Sequence, residues 1–262
     1  YIVSKSGNYK FKTVRGNSSK SVGMVDNVEV LWETFGTSTK PNVGDLVYDV
    51  TYDDGYIGFT ATDKKGNALI AAKNESGEIL WSWHIWLTDQ PQDQVYRNNA
   101  GIMMDRNLGA TSAKKGDVGA LGLLYQWGRK DPFLGGCRIG YDIDDNSTPE
   151  RAASTLFWPE PTQSSYLTGT IEYAVAHPTT YIFGNKANND WFYTGVSTTD
   201  NTRWGSKKTC YDPCPVGYRV PDGGSTGIWC RASGERYSFS VTWDWANRGI
   251  DFALTKKKFG DD

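Results

Sequence analysis

Residues 79–89, ILWSWHIWLTD, constrain the fold more than any other stretch of the chain. Ile79, Trp81, Trp83, Ile85 and Leu87 alternate with Leu80, Ser82, His84 and Trp86, which is the two-residue period of a β-strand. One face is apolar throughout, so it must be covered. The three tryptophans fit a seam between sheets or domains better than a ligand groove. His84 stands alone on the other face and fits a hydrogen-bonded structural role better than a metal ligand.

The text leading up to this run is strand and turn. YIVS and YKFKTV flank the turn-forming Lys5-Ser6-Gly7-Asn8, and VEVLWETF, LVYDVTY, YIGFTAT and ALIAAK follow at short spacing. Asp53-Asp54-Gly55, Lys65-Gly66-Asn67 and Glu75-Ser76-Gly77-Glu78 supply hairpin turns. Strands joined by such short turns cannot be parallel, so residues 1–95 are expected to form an antiparallel β-sandwich.

Composition narrows the function classes. The net charge of −2 offers no basic field for nucleic acid or anionic lipid. No apolar run reaches the length of a membrane span. The chain carries 11 Trp, 15 Tyr and 29 Gly against few aliphatics, which predicts short strands and many loops. It starts with Tyr rather than Met, as a processed or trimmed product would. Cys137, Cys210, Cys214 and Cys230 allow three pairings if all are oxidised, a count compatible with an extracytoplasmic setting. None lies in a CxxC and the chain has two histidines, so no structural zinc and no other cofactor is expected.

The second half is arranged around residues 105–133. Leu121, Leu123, Leu124, Tyr125 and Trp127 read as a short amphipathic helix, with Gly128 as a left-handed cap and Pro132 as its stop. Asp105-Arg106-Asn107 looks like a catalytic trio, but an Asp–Arg pair and an Asn turn pinning a loop is the expectation. Residues 90–100 are polar and read as a linker or crossing loop. Asp142, Asp144, Asp145 and Asn146 read as a solvated acidic loop, because the EF-hand spacing is not satisfied. Residues 147–208 show little helical periodicity. Within them Asn189, Asp190, Trp191, Tyr193 and Trp204 form the candidate ligand-binding surface. Carboxylate and amide groups bond sugar hydroxyls while aromatic faces cover the ring. The alternative for each is packing under a long loop.

Four ordered blocks carry a resemblance: ILWSWHIWLTD, MDRNLGA at 104–110, LLYQWGRKDPF at 123–133 and YDPCPVGYRVP at 211–221. Together they resemble the large fimbrillin-like surface proteins of Bacteroidales. The last three also resemble the FISUMP module, the "Fibrobacter succinogenes major paralogous" domain. Asn107-Leu108 match its NL element, Tyr125 and Trp127 its helix aromatics, and Cys214, Pro215, Gly217, Tyr218 and Pro221 its turn, with Tyr218 where Trp is usual. Such modules are similar to C-type-lectin-like folds and to the formylglycine-generating enzyme fold, whose RLP turn Arg219-Val220-Pro221 matches. The resemblance therefore implies a C-type-lectin-like module over residues 96–262 behind the sandwich. Two departures stand against this pattern. Asp222-Gly223-Gly224-Ser225 replaces the acidic helix start, and the chain ends in TKKKFGDD where relatives continue with further strands. The C-terminal half of the lectin-like sheet is then either missing or supplied otherwise, for example by donor completion from another chain. No calcium-lectin motif is present, and the reactive cysteine arrangement of the formylglycine enzyme is absent.

The resulting expectation is a mainly β, non-catalytic adhesion or recognition module of an extracellular bacterial surface assembly or fimbrium tip. Its expected partners are a glycan or surface protein together with neighbouring subunits. The rival expectation is a purely structural subunit. A glycan hydrolase would need paired carboxylates, and Glu160, Glu172, Asp190 and Asp244 are brought together by no sequence feature.

Overall fold

A computed structural model describes residues 1–96, 98–114, 117–134, 157, 161–184, 190–195, 200–222 and 227–233. In chain order the strands are β1 (Ile2–Val3), β2 (Gly7–Lys12), β3 (Asn27–Thr34), β4 (Val47–Asp53), β5 (Tyr56–Ala61), β6 (Gly66–Lys73), β7 (Ile79–Leu87), β8 (Asp93–Tyr96), β9 (Gly101–Met104), β10 (Leu123–Tyr125), β11 (Pro132–Leu134), β12 (Thr162–Ser165) and β13 (Thr180–Phe183). Two short helices, α1 (Ile171–Ala176) and α2 (Ile228–Ser233), accompany them. The chain is mainly β with several sheets, as expected.

The first unit is a sandwich. One sheet has the order β1-β7-β6-β3 and the other β2-β5-β4. Their inner faces share one core, in which Phe11, Ile57 and Phe59 meet Ile70, Trp81, Trp83 and Ile85. The register explains how the tryptophans fit. Trp81 lies opposite Ala72, and Ile85 opposite Ala68, so large residues face small ones across β6 and β7. Burying one such aromatic removes about 150–250 Å² from water. At about 25 cal/mol per Å² that is about 4–6 kcal/mol before entropy is counted.

One pairing departs from expectation. β1 runs parallel to β7, with Ile2 opposite Trp86 and Val3 opposite Leu87. The short-turn argument does not reach this pair, because almost the whole unit separates the two strands in sequence. Every other pair in the sandwich is antiparallel. The outer strand β4 is exposed along most of its length and carries a register shift between Tyr48 and Thr51, with Asp49 at φ +51°. Such a bulge spoils a sheet edge as a template for aggregation. The loop before β4 is tied down by Glu33. Its buried carboxylate accepts the backbone N–H groups of Gly44 (2.9 Å), Leu46 (3.1 Å) and Val47 (2.8 Å).

The helix expected over residues 121–127 is a β-hairpin instead. Leu123, Leu124 and Tyr125 pair with Leu134, Phe133 and Pro132. Leu123 is buried and Leu124 is exposed, an alternation of period two. Glycine still punctuates the segment as read, but for other reasons. Gly128 takes φ +78° in the turn between these strands, not at a helix end. Gly122, just before β10, has φ +69°, and a Cβ there would sit 2.6 Å from the Leu108 carbonyl. Residues 90–100 also differ from the linker reading. β8 pairs with β9 in an antiparallel ribbon, and Asn98 and Asn99 supply the left-handed turn. Within 161–184, α1 is capped by the Thr170 hydroxyl, which accepts from the Tyr173 N–H. The acidic loop Asp142–Asn146 lies outside the described residues.

Candidate functional site

β7 is covered on both sides. Its second face carries Ser82, His84 and Trp86, and each of these anchors a segment from beyond residue 100. The Trp86 indole donates to the Ala110 carbonyl at 2.9 Å. The Asn67 amide on β6 donates to the Gly109 carbonyl at 2.9 Å, which turns Asn67 Oδ1 toward His84 Nε2, also at 2.9 Å. Nε2 is therefore the protonated nitrogen and Nδ1 the acceptor for the Tyr125 hydroxyl at 3.3 Å. Burial holds the His84 pKa well below its ordinary value and pushes the Tyr125 pKa well up. A neutral imidazole with both nitrogens engaged is a structural link, as the sequence suggested.

The Asp105-Arg106-Asn107 trio also pins a loop. Arg106 is buried and donates to Asp105 (2.8 Å), Asp89 (3.0 Å) and the Thr88 hydroxyl (3.0 Å). Its guanidinium holds the Asp89 carboxyl well below the usual carboxylate range. The Asn107 amide reaches the Ala120 and Leu121 carbonyls at 3.3 Å. Beside Ser82, Lys130 and Asp131 form a buried ion pair at 2.6 Å, and the Ser82 hydroxyl donates to Asp131 at 2.6 Å while accepting from Lys130.

The expected ligand surface divides. Trp191 is 3% exposed, its indole donates to the Trp127 carbonyl at 2.7 Å, and its ring is in contact with the guanidinium groups of Arg129 and Arg203. Trp204 is 9% exposed and bonds the Tyr211 carbonyl at 2.8 Å. The Trp191 ring is thus taken up by two buried arginines and the Trp204 ring packs edge-on against Trp127, so both rings serve packing inside the protein. Asp190 caps its own loop by accepting the Phe192 N–H at 3.0 Å. Tyr193 is half-buried, packs edge-on against Tyr166, and donates to the Gly195 carbonyl at 3.2 Å. Asn189 lies outside the described residues. Trp127, at 44% exposure, is an accessible aromatic of this neighbourhood.

A larger concavity lined by described residues lies elsewhere, as a cleft of about 510 Å³. Four consecutive residues of β9, Gly101 to Met104, line it, so the cleft runs along the strand's edge rather than over one face. The opposite wall is the turn at 213–222. Asp212 closes that turn: Oδ1 accepts the Cys214 N–H and Oδ2 the Val220 N–H, both at 2.9 Å, while Lys208 neutralises the carboxylate at 2.7 Å. Tyr218 reaches across to bond Asp93 on β8. Its pKa is pushed up to about 12, first by that bond and then by burial. Arg219 makes a two-pronged pair with Asp222, and α2 contributes Ile228 and the exposed Arg231. α2 is seated by the Tyr96, Ala100 and Met103 side of the ribbon. Burial, and next the Asp212 carboxylate, hold the Cys214 thiol high, so it is not a thiolate nucleophile near neutral pH.

Sequence reasoning missed this cleft because the polar run at 90–100 hid a hairpin. The signal was Asn98-Asn99 flanked by DQVY and GIMM. Among the described residues, no group of three His, Cys, Asp or Glu side chains is placed to hold a metal ion, and no helix is long and apolar enough to cross a membrane. Comparison with known protein families, with curated proteins and with solved structures found no match to the chain.

Proposed function

We propose that the chain is a non-catalytic adhesion and recognition module of a bacterial surface assembly, and that it takes its ligand in the cleft along β9. The observation that carries this reading is the composition of the cleft. Apolar walls from Met103 and Ile228 meet a rim of Tyr218, Arg219 and Arg231, of which Tyr218 is paired with Asp93 and Arg219 with Asp222. Such a surface binds and orients; it supplies no free acid–base pair. Glycan or surface protein is the proposed ligand, and display in many copies would raise the avidity of a shallow site.

A second reading, a structural subunit held by strand addition, is favoured by two observations. Trp191 and Trp204 serve packing, and β9 presents an edge to the cleft. One screen separates them. The purified chain is tested on a glycan array and against extended peptides from neighbouring surface subunits, alongside Arg231→Ala and Tyr218→Phe. Glycan binding lost in Arg231→Ala supports recognition. Peptide binding that survives both substitutions supports strand addition. Silence in both arms from a folded chain sinks the proposal.

A further inference from the structure

β9 pairs with β8 alone, so one of its edges carries no strand among the described residues. The register says which groups lie on that edge. The Asp105 N–H donates to the Gln92 carbonyl at 2.9 Å, which makes these two a hydrogen-bonded pair of the ribbon. Bonded and non-bonded pairs alternate along an antiparallel ladder. Met103 opposite Gln94 and Gly101 opposite Tyr96 therefore bond to β8, whereas Ile102 opposite Val95 and Met104 opposite Asp93 turn their N–H and C=O groups outward, along the cleft. Such an edge is a template for a further strand.

The surroundings describe what fits it. Val95 and Ile102 are cross-strand neighbours at 63% and 56% exposure, so a strand laid beside β9 covers Ile102 with its own apolar side chain. At the Gly101 end, Arg231 donates to the Asn99 carbonyl at 2.6 Å and has no carboxylate partner among the described residues. At the Met104 end, Asp93 accepts from the Tyr218 hydroxyl through Oδ1, which leaves Oδ2 open. The other charges nearby are paired: Arg106 with Asp105 and Asp89, Arg219 with Asp222, and Lys208 with Asp212. The edge thus has a positive and a negative end, about 10 Å apart over three residue steps. A glycan has no row of N–H and C=O groups to match it; a polypeptide does. The 213–222 turn stands across from β9, which suits one extended segment rather than the ribbon of a second copy.

We propose that the ligand of this cleft is an extended segment of another polypeptide, laid against β9 as a third strand. It is apolar where it passes Ile102, acidic at the Arg231 end and basic at the Asp93 end. This ligand class rests on the reading that the cleft binds a ligand at all, and makes that ligand a protein rather than a glycan.

The test uses the full chain, a library of end-blocked pentapeptides of the pattern acidic-x-apolar-x-basic and its reverse, and a glycan array. The best peptide is expected to slow amide exchange at Ile102 and Met104 about elevenfold at ten times its dissociation constant, with Met103 unchanged. Methylating the peptide's backbone nitrogens one at a time is expected to weaken binding at alternate positions only, by about tenfold. Arg231→Ala is expected to cost about two- to fivefold, and nothing further once the peptide's acid is replaced by its amide. Asp93→Asn, which still accepts from Tyr218, is expected to do the same for the peptide's base. Glycan binding without peptide binding overturns the polypeptide and leaves the recognition reading standing. Silence in both arms overturns both. Ile102 and Met104 amides already protected in the free chain would show the edge occupied by this chain itself, and that also overturns the proposal.

Discussion

Asp131→Asn tests how the two faces of β7 are held together. Asp131 is the carboxylate paired with Lys130, and their side chains are 3% and 8% exposed. The substitution keeps an oxygen that accepts from the Ser82 hydroxyl but removes the charge that balances the ammonium. Stranding one member of a buried pair costs about 3–5 kcal/mol. With the Ser82 bond preserved the lower end applies, about 3 kcal/mol, or a factor of about 150 in the folding equilibrium. A pH signature accompanies it. Burial lowers the Lys130 pKa from 10.5, so in that window the unfolded chain holds the proton more tightly and stability rises with pH. Without Asp131 the folded pKa drops further, and the window opens at lower pH. Urea unfolding of the wild type, Asp131→Asn, Lys130→Met and the double variant measures the coupling. The double variant is expected to recover at least about 2 kcal/mol relative to the sum of the singles. A cost below about 1 kcal/mol for Asp131→Asn, or strict additivity, refutes the reasoning.

Other outcomes follow from the same contacts. Glu33→Gln turns an amide nitrogen toward one of three backbone donors, and urea titration is expected to show a loss of about 2–3 kcal/mol. Gly169→Ala places a Cβ 1.7 Å from the Trp191 carbonyl, so the 190–195 loop must move; loss of the near-ultraviolet aromatic signal, with far-ultraviolet dichroism retained, reports it. His84 has its pKa depressed by burial, so its stabilising effect is full above pH 6.5 and fades as pH falls and the unfolded chain takes up the proton. The stability of His84→Gln should therefore fall less steeply below pH 6.5, by up to about 1.4 kcal/mol per pH unit. Equal slopes in the two proteins would contradict the buried, neutral assignment.

How much of this was legible depends on the range of the contact. The alternation in residues 79–89 announced β7, and the Gly-containing turns placed the sandwich, because strand period and turn chemistry are local. The Leu121–Trp127 run was misread because a short apolar run satisfies helical and strand spacing alike; its partner strand, reached through the Gly128 turn, decided the matter. Trp191 looked like a ligand platform for a similar reason. Nothing near it in sequence signals that Arg129 and Arg203 will cover its ring, and Arg203 itself is anchored on a carbonyl 75 residues away. The cleft was hidden differently. Its hairpin signal, Asn98-Asn99, was present but was outweighed by the polarity of the surrounding run.

β7 serves two bodies at once, with the sandwich core on one face and segments from beyond residue 100 on the other. Native-state hydrogen exchange across β6, β7 and β9 tests this directly. The account predicts that the β7 amides exchange only through global unfolding, with the same free energy measured for Trp86 and for the buried part of the β8–β9 ribbon. A ribbon that opens several kcal/mol below β7, leaving residues 2–87 intact, would contradict it.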